Sequence, residues 1–132
     1  MKRLLEVCLA ALVTTASAAE GASFAGIWEG QMQGVKAVTL EIQASGGNFA
    51  GTAIFYVIKD EGEGKHVGGE TRVAMEHVRS HDTVLEFDVS VSDGNFVHMC
   101  MTLNGSNSAE LTRVASEDRP ELSIGLQRQV QL

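Results

Sequence analysis

Proline, cysteine and aromatic residues are scarce in this chain of 132 residues, which has one proline, two cysteines and 5% aromatic residues. Two cysteines exclude a disulfide-rich scaffold, because small folds of that class need several bridges in place of a large core. An excess of positive charge is also lacking, since the formal net charge is −7. An acidic chain repels both nucleic acid and anionic membrane surfaces, so we expect neither as a partner.

What the sequence does contain is apolar side chains in a proportion typical of folded proteins. Hydrophobic residues make up 44% of the chain and charged residues 20%. This composition argues against disorder, and the length fits one domain with its own core better than two.

The N-terminal segment has the pattern of a secretory signal peptide. Lys2 and Arg3 precede an apolar stretch from Leu4 to Val13, and small residues follow as far as Ala19. We therefore predict a signal peptide over residues 1–19, cleaved after Ala18 or Ala19, and a secreted or periplasmic domain over residues 20–132. The stretch is too short for a membrane span, which needs about 20 residues. The alternative is an N-terminal helix packed on the domain, which Glu6 within the stretch favours.

Cleavage at this position would change the charge and the cysteine count. It removes Lys2, Arg3, Glu6 and Cys8, leaving 8 basic residues, 16 acidic residues and Cys100 as the single thiol. No disulfide can then form within the chain, so its stability must come from the apolar core.

Apolar residues alternate with polar ones through most of the remaining sequence. In the clearest case Leu85, Phe87 and Val89 share one parity, while Glu86 and Asp88 take the other. A period of two is typical of a half-buried β-strand. The same reasoning predicts eight strands: Phe24–Met32, Lys36–Ala44, Asn48–Ile58, Thr71–Arg79, Thr83–Ser92, Asn95–Asn104, Ala109–Val114 and Leu122–Leu126.

Short turns separate most of these strands and indicate how they pair. Asp93-Gly94 and Asn104-Gly105 are typical of tight hairpins, and connections this short leave no room for helical crossovers. One longer break, Lys59–Gly69, holds four glycines and is predicted to be a mobile, solvated loop. We therefore predict an all-β fold, a single eight-stranded antiparallel meander barrel, with a β-sandwich as the alternative.

Two short motifs resemble those of known small barrels. Gly26-Ile27-Trp28 is similar to the Gly-x-Trp start of calycin-type barrels, the lipocalins, fatty-acid-binding proteins and avidins. Gly47-Asn48-Phe49-Ala50-Gly51-Thr52 resembles a step in the third strand of avidin-like and related small bacterial barrels. The resemblance implies a small exported bacterial barrel of uncharacterised function, in which Trp28 closes one barrel end. A single tryptophan does not match the biotin site of avidins.

The distances expected along a strand place the histidine and cysteine side chains too far apart for a metal site or a catalytic pair. His77 and His81 lie about 13 Å apart on a straight strand, too far for one metal ion. His98 and Cys100 share a strand face about 7 Å apart, too far for direct proton transfer. We interpret these residues as surface pairs and expect no catalytic residue, no metal and no cofactor.

The expected function is non-enzymatic binding of a small apolar or amphipathic ligand inside the barrel. Such binding requires an internal cavity of roughly 300 Å³ or more, entered at the end bordered by Lys59–Gly69. Methionine adapts to irregular apolar ligands, although it fills core gaps equally well. The predicted lining residues are Trp28, Phe55, Phe87, Met99 and Met101. The alternative is a filled barrel that acts through its outer surface as a protein-interaction or inhibitor module.

Overall fold

Nine β-strands make up the regular structure of the computed structural model, which describes residues 24–60, 62, 64–92, 94–116 and 120–129. The predicted signal peptide, residues 1–19, lies outside the described residues. The strands are β1 (Gly26–Met32), β2 (Val35–Ser45), β3 (Asn48–Asp60), β4 (Lys65–Ala74), β5 (Glu76–His81), β6 (Val84–Ser92), β7 (Asn95–Leu103), β8 (Ser108–Arg113) and β9 (Leu122–Arg128).

All nine strands belong to one antiparallel sheet in the order β4-β3-β2-β1-β9-β8-β7-β6-β5. Strands that follow one another in the chain pair, except for β4 and β5, which are the two edges of the sheet, and the last strand, β9, pairs with the first. The edges are joined through β3: Met75, between β4 and β5, donates its backbone N–H to the oxygen of Gly51 on β3 at 2.9 Å. The side-chain amide of Asn48 also donates to the Val78 oxygen at 3.1 Å. The sheet is thus a nearly closed barrel, which confirms the predicted class.

The strand count and one loop were predicted wrongly. The segment Thr71–Arg79 is two strands divided at Met75, and β4 begins at Lys65, inside the predicted loop Lys59–Gly69. Hydrogen bonding between β3 and β4 continues to the pair Asp60–Lys65, so only residues 61–64 connect them. Gly68 is the extra residue of a β-bulge opposite Val57 and Ile58. Bulges accept glycine, so a glycine-rich sequence belongs to a strand here.

The barrel interior differs between its two ends. We call the end with the Gly46–Gly47 turn and the loop of residues 104–107 the closed half. The end with the Gln33–Gly34 turn, where β3 ends at Asp60 and β8 ends at Arg113, is the open half. Large buried side chains fill the closed half: Phe24, Trp28, Leu40, Phe49, Leu85, Phe87, Met101 and Leu126. Alternate residues of the strands supply them, as the period of two predicts.

Trp28 anchors the closed half. Its side chain is 0% exposed, and its ring nitrogen donates to the Phe24 oxygen at 3.0 Å. The Arg128 guanidinium lies 4.3 Å from the centre of the indole ring and donates to the Ala25 oxygen. The first and last strands are therefore joined both by backbone pairing and by a stacked side-chain pair.

Gly51 permits β2 and β3 to approach closely beside this core. A Cβ atom at Gly51 would collide with the backbone oxygen of Glu41 on the neighbouring strand. Only glycine fits there without movement of the backbone.

Candidate functional site

A cavity of about 350 Å³ occupies the open half of the barrel. Twelve of its fifteen lining residues are apolar, two carry hydroxyl groups (Thr71 and Ser90), and one, Arg113, is charged. Val91 and Leu122, also in the lining, are partly exposed to solvent, so the cavity is open at this end. An apolar cavity with a few polar groups is the usual form of a small-molecule site.

Small side chains account for the empty volume. Among the lining residues are Ala37, Val38, Val73, Val89 and Val97, whereas tryptophan and phenylalanine occupy much of the closed half. The strands of both halves belong to the same sheet, so one barrel encloses the filled and the hollow regions. A barrel of this width is filled only where the inward side chains are large.

Two of the five predicted lining residues, Phe55 and Met99, border the cavity. The other three, Trp28, Phe87 and Met101, are 0% exposed members of the core and are not among the lining residues. That any of the five contacts a ligand stays a prediction. Alternation indicates which side chains point inward but not how far along the barrel axis the filled region extends.

Sequence reasoning missed Arg113, the single charged residue of the lining. Arg113 follows Ala109 and Leu111 at intervals of two residues on β8, so alternation would have predicted that it points inward. One terminal nitrogen donates to the Pro120 oxygen at 3.1 Å. Its Nε is buried and makes no hydrogen bond among the described residues. Leaving a buried N–H group without an acceptor costs free energy, so a ligand with an acceptor atom would be favoured beside it.

A second group of polar side chains lies on the outer face of β5, β6 and β7. His98 Nδ1 lies 2.7 Å from an Asp88 oxygen, and His98 Nε2 lies 3.1 Å from a Glu86 oxygen. The remaining oxygens face two further histidines: His77 Nδ1 is 2.9 Å from Asp88, and His81 Nε2 is 3.0 Å from Glu86. Two carboxylates and three histidines therefore form one continuous chain, which we call the histidine–carboxylate network.

A β-bulge brings His77 into this network. Simple alternation would place His77 on the same face as Met75, which is buried. Instead the register of β5 against β6 shifts between Glu76 and Arg79, and His77 adopts a positive φ of 53°. A bulge rotates the side chains that follow it, which directs His77 towards Asp88. The sequence carries no glycine or proline at this point to signal the bulge.

Hydrogen bonding within the network constrains the protonation of its members. Both ring nitrogens of His98 face carboxylate oxygens, so this side chain joins Asp88 to Glu86. Hydrogen bonds from His81 and then His98 lower the pKa of Glu86. A hydrogen bond from His98, followed by one from His77, lowers the pKa of Asp88. The carboxylates are therefore held in their ionised forms.

Cys100 lies beside Glu86 and His98 on the same face. One ligand atom from each of these three residues lies within 4.8 Å of the other two. This is closer than the 7 Å expected from strand spacing for His98 and Cys100. The thiol is free, and burial together with the Glu86 charge raises its pKa. A raised pKa disfavours the thiolate that nucleophilic catalysis needs.

Comparison with known proteins does not assign the chain to a family. Neither a family model, nor a curated protein, nor a solved structure matches the chain. Among the described residues, no helix has the length and apolar character needed to cross a membrane. The function is therefore inferred from the cavity and from the outer-face residues themselves.

Proposed function

We propose that this chain is a non-enzymatic binding protein that holds a small apolar or amphipathic molecule in the cavity of the open half. The observation that carries the proposal is the cavity itself, about 350 Å³ in volume with a predominantly apolar lining. This volume falls within the range of roughly 300–1,000 Å³ that ligand pockets occupy. A barrel with the same strands and larger side chains would be solid, so the hollow supports binding over the filled-barrel alternative.

Arg113 favours an amphipathic ligand with an anionic group. The guanidinium is the single cation of the lining, and its buried Nε lacks an acceptor among the described residues. A carboxylate accepts hydrogen bonds from two guanidinium nitrogens at once, while an apolar tail would lie against Phe55, Val73 and Met99. The proposed ligand class is therefore an apolar molecule that carries one acidic group.

We also propose that the chain is related to the calycin-type barrels, with which its barrel architecture is compatible. Support comes from the Gly26-Ile27-Trp28 motif at the start of β1 and from the burial of Trp28 at the closed half. A calycin-like barrel would hold its ligand in the interior, as proposed here.

Titration with decanoate and with 1-decanol tests the proposal, because the two probes share a chain length and differ in charge. Calorimetry should detect binding of decanoate at one site per chain and weaker binding of 1-decanol. In Val73→Phe the added ring occupies the cavity and should abolish binding of both. The matched control is Ala74→Phe, which places the same ring on the exposed outer face of β4 and should leave binding unchanged.

Replacement of the cation separates the apolar and anionic parts of the proposal. Arg113→Gln should reduce decanoate affinity by roughly tenfold or more, as the loss of a charge-assisted hydrogen bond implies, and should leave 1-decanol affinity nearly unchanged. Binding of neither probe by the wild-type chain, or equal binding by wild type and Val73→Phe, would refute the interior site.

We also propose that the protein is exported, with residues 1–19 removed, on the basis of the N-terminal pattern. Expression in a bacterium and intact mass measurement of the periplasmic fraction should give a chain that begins at Ala19 or Glu20. Leu9→Arg interrupts the apolar stretch and should keep the uncleaved chain in the cytoplasm. An uncleaved wild-type chain in the cytoplasm would contradict export.

A further inference from the structure

The outer face of β6 and β7 brings together a carboxylate, an imidazole and a thiol. Glu86 and Cys100 stand directly opposite each other in the antiparallel ladder, and His98 precedes Cys100 by two residues on the same face. Their ligand atoms lie within 4.8 Å of one another, and all three residues are partly exposed. These residues take no part in the proposed cavity, because Phe87 and Met99, which alternate with them, point into the barrel.

The distances are close to those that a metal ion requires. Zinc bonds measure about 2.0 Å to histidine nitrogen and about 2.3 Å to thiolate sulfur, so tetrahedral ligand atoms lie about 3.6 Å apart. The separations here need to shrink by about 1 Å at most, which side-chain rotation on an exposed strand face allows. Neighbouring positions of a sheet hold the backbone parts of the three ligands in place.

The surrounding residues already orient the imidazole for metal binding. Asp88 accepts a hydrogen bond from His98 Nδ1 at 2.7 Å, which directs Nε2 towards Glu86. A carboxylate on the far nitrogen is the usual support of a metal-binding histidine, since it fixes the ring orientation and increases the basicity of the ligand. His81 holds the second oxygen of Glu86 at 3.0 Å in the same way. This support is the observation that distinguishes the cluster from an ordinary group of surface residues.

We propose that Glu86, His98 and Cys100 form a binding site for one divalent transition-metal ion, with Zn²⁺ as the preferred ion and the fourth position open to water. One nitrogen, one sulfur and one oxygen are a ligand set that zinc accepts and that calcium and magnesium, which require oxygen ligands, do not.

Binding displaces the proton of the Cys100 thiol, which leaves to solvent, and His98 binds through Nε2 in its neutral form. The Arg79 guanidinium, 3.4 Å from Glu86, is the cation that the metal must compete with.

Metal titration of the full chain, without an added histidine tag and in a non-chelating reductant, tests this site. Zn²⁺ should bind with a stoichiometry of one per chain. Co²⁺ should produce the intense visible bands of a four-coordinate complex together with a thiolate-to-cobalt charge-transfer band. Calcium should neither bind nor displace cobalt. Weak octahedral cobalt bands with no sulfur band, or no Zn²⁺ binding, would overturn the proposal.

Variants locate the site and distinguish its ligands from its neighbours. Cys100→Ser should remove the charge-transfer band, and both Cys100→Ser and His98→Gln should reduce Zn²⁺ affinity roughly 100-fold or more. His77→Gln is the matched control, because His77 belongs to the same network but contacts Asp88 and lies outside the ligand set. Its Zn²⁺ affinity should stay within about threefold of wild type.

Folding of each variant is verified independently of the metal by Trp28 fluorescence and circular dichroism. Glu86→Gln provides a second test at the opposite strand, and it should also weaken Zn²⁺ binding. Unchanged affinity in folded Cys100→Ser or His98→Gln would refute the site.

Discussion

The two halves of the barrel are built from the same sheet and yet have opposite interiors. In the closed half, large side chains such as Trp28 and Phe87 are 0% exposed and fill the interior around them. In the open half, alanine and valine supply six of the fifteen lining residues, and about 350 Å³ stays empty. Hydrogen bonding between strands sets the width of a barrel, and inward side chains decide whether that width is filled. The closed half therefore supplies most of the packed core, and the open half holds the cavity in which binding is proposed.

Strand β6 shows the transition between the halves within a few residues. Leu85 and Phe87 belong to the core, and Val89, two residues further on, lines the cavity. The outward residues of the same strand, Glu86 and Asp88, belong to the histidine–carboxylate network. A single strand thus contributes to the core, the cavity and the outer face.

Matched truncations of phenylalanine should give the largest contrast between the halves. Phe87→Ala removes a fully buried ring and should lower the free energy of unfolding by about 3–5 kcal/mol. Phe55→Ala removes a half-buried ring beside the cavity and should cost less than about half as much, because one side of the ring borders empty volume. Urea denaturation measures both. Equal losses would show that the open half is packed as tightly as the closed half.

Matched enlargements of alanine should give the next largest effect. Ala109→Leu adds volume to the filled core and should cost about 1–3 kcal/mol of unfolding free energy. Ala37→Leu adds the same atoms beside the cavity and should change stability by less than about 1 kcal/mol. It should also weaken decanoate binding, since it occupies ligand volume. A loss in Ala37→Leu as large as that in Ala109→Leu would contradict the comparison.

The two arginines of the interior should respond differently to replacement by methionine. Arg128 stacks on Trp28 and bonds to the Ala25 and Ser106 oxygens, so Arg128→Met should cost about 1–2 kcal/mol. Both arginines have a buried Nε with no acceptor among the described residues, but the hydrogen bond from Arg113 to the Pro120 oxygen is exposed, so Arg113→Met should be neutral within about 0.5 kcal/mol or slightly stabilising. Thermal unfolding without ligand provides the measurement. A loss in Arg113→Met equal to that in Arg128→Met would assign Arg113 a structural role.

Acidification should have the smallest effect on the free energy of unfolding, and we expect this effect to come from Glu86 and Asp88 on the outer face. The pKa values of Glu86 and Asp88 are lowered in the folded chain by the hydrogen bonds of the histidines. Their contribution to stability is complete above the ordinary values of 4.5 and 3.8 and is lost as the pH falls through the lowered values. The double variant Glu86→Gln/Asp88→Asn should show a flatter loss of unfolding free energy between neutral and acidic pH.

Glu110→Gln, an exposed residue on β8, is the control for this experiment and should keep the wild-type pH profile. If the double variant loses stability with acid as steeply as wild type, the network does not contribute to the acid response.

The sequence predicted the barrel because alternation is strong where one face of a strand is buried. Leu85, Phe87 and Val89 are all inward, as expected. The sequence did not predict features that depend on contacts between distant strands. Glycines at 68 and 69 indicated a loop, but pairing of β4 with β3 overrode their low strand preference.

The candidate site was predictable only in part for the same reason. Alternation along the strands identified Phe55 and Met99 as inward residues, and both border the cavity. It did not show that Trp28 lies in the packed core, because that depends on the packing of the whole closed half. The network required a bulge at His77 that no local residue signals. Spacing along one strand also overestimated the distance from His98 to Cys100, because side-chain rotation brings the reactive atoms closer than strand spacing implies.

The position of β9 between β1 and β8 has a consequence for how the chain reaches its native state. Strand β9 fills the gap between the first and the eighth strands, so the ring cannot form until β9 has been synthesised. Until then two strand edges stay unpaired, and such edges invite association with other chains. Pairing across nearly the full sequence is slow because it must overcome a large loop-closure entropy. Assembly of this protein should therefore depend on protection of the growing chain until β9 emerges.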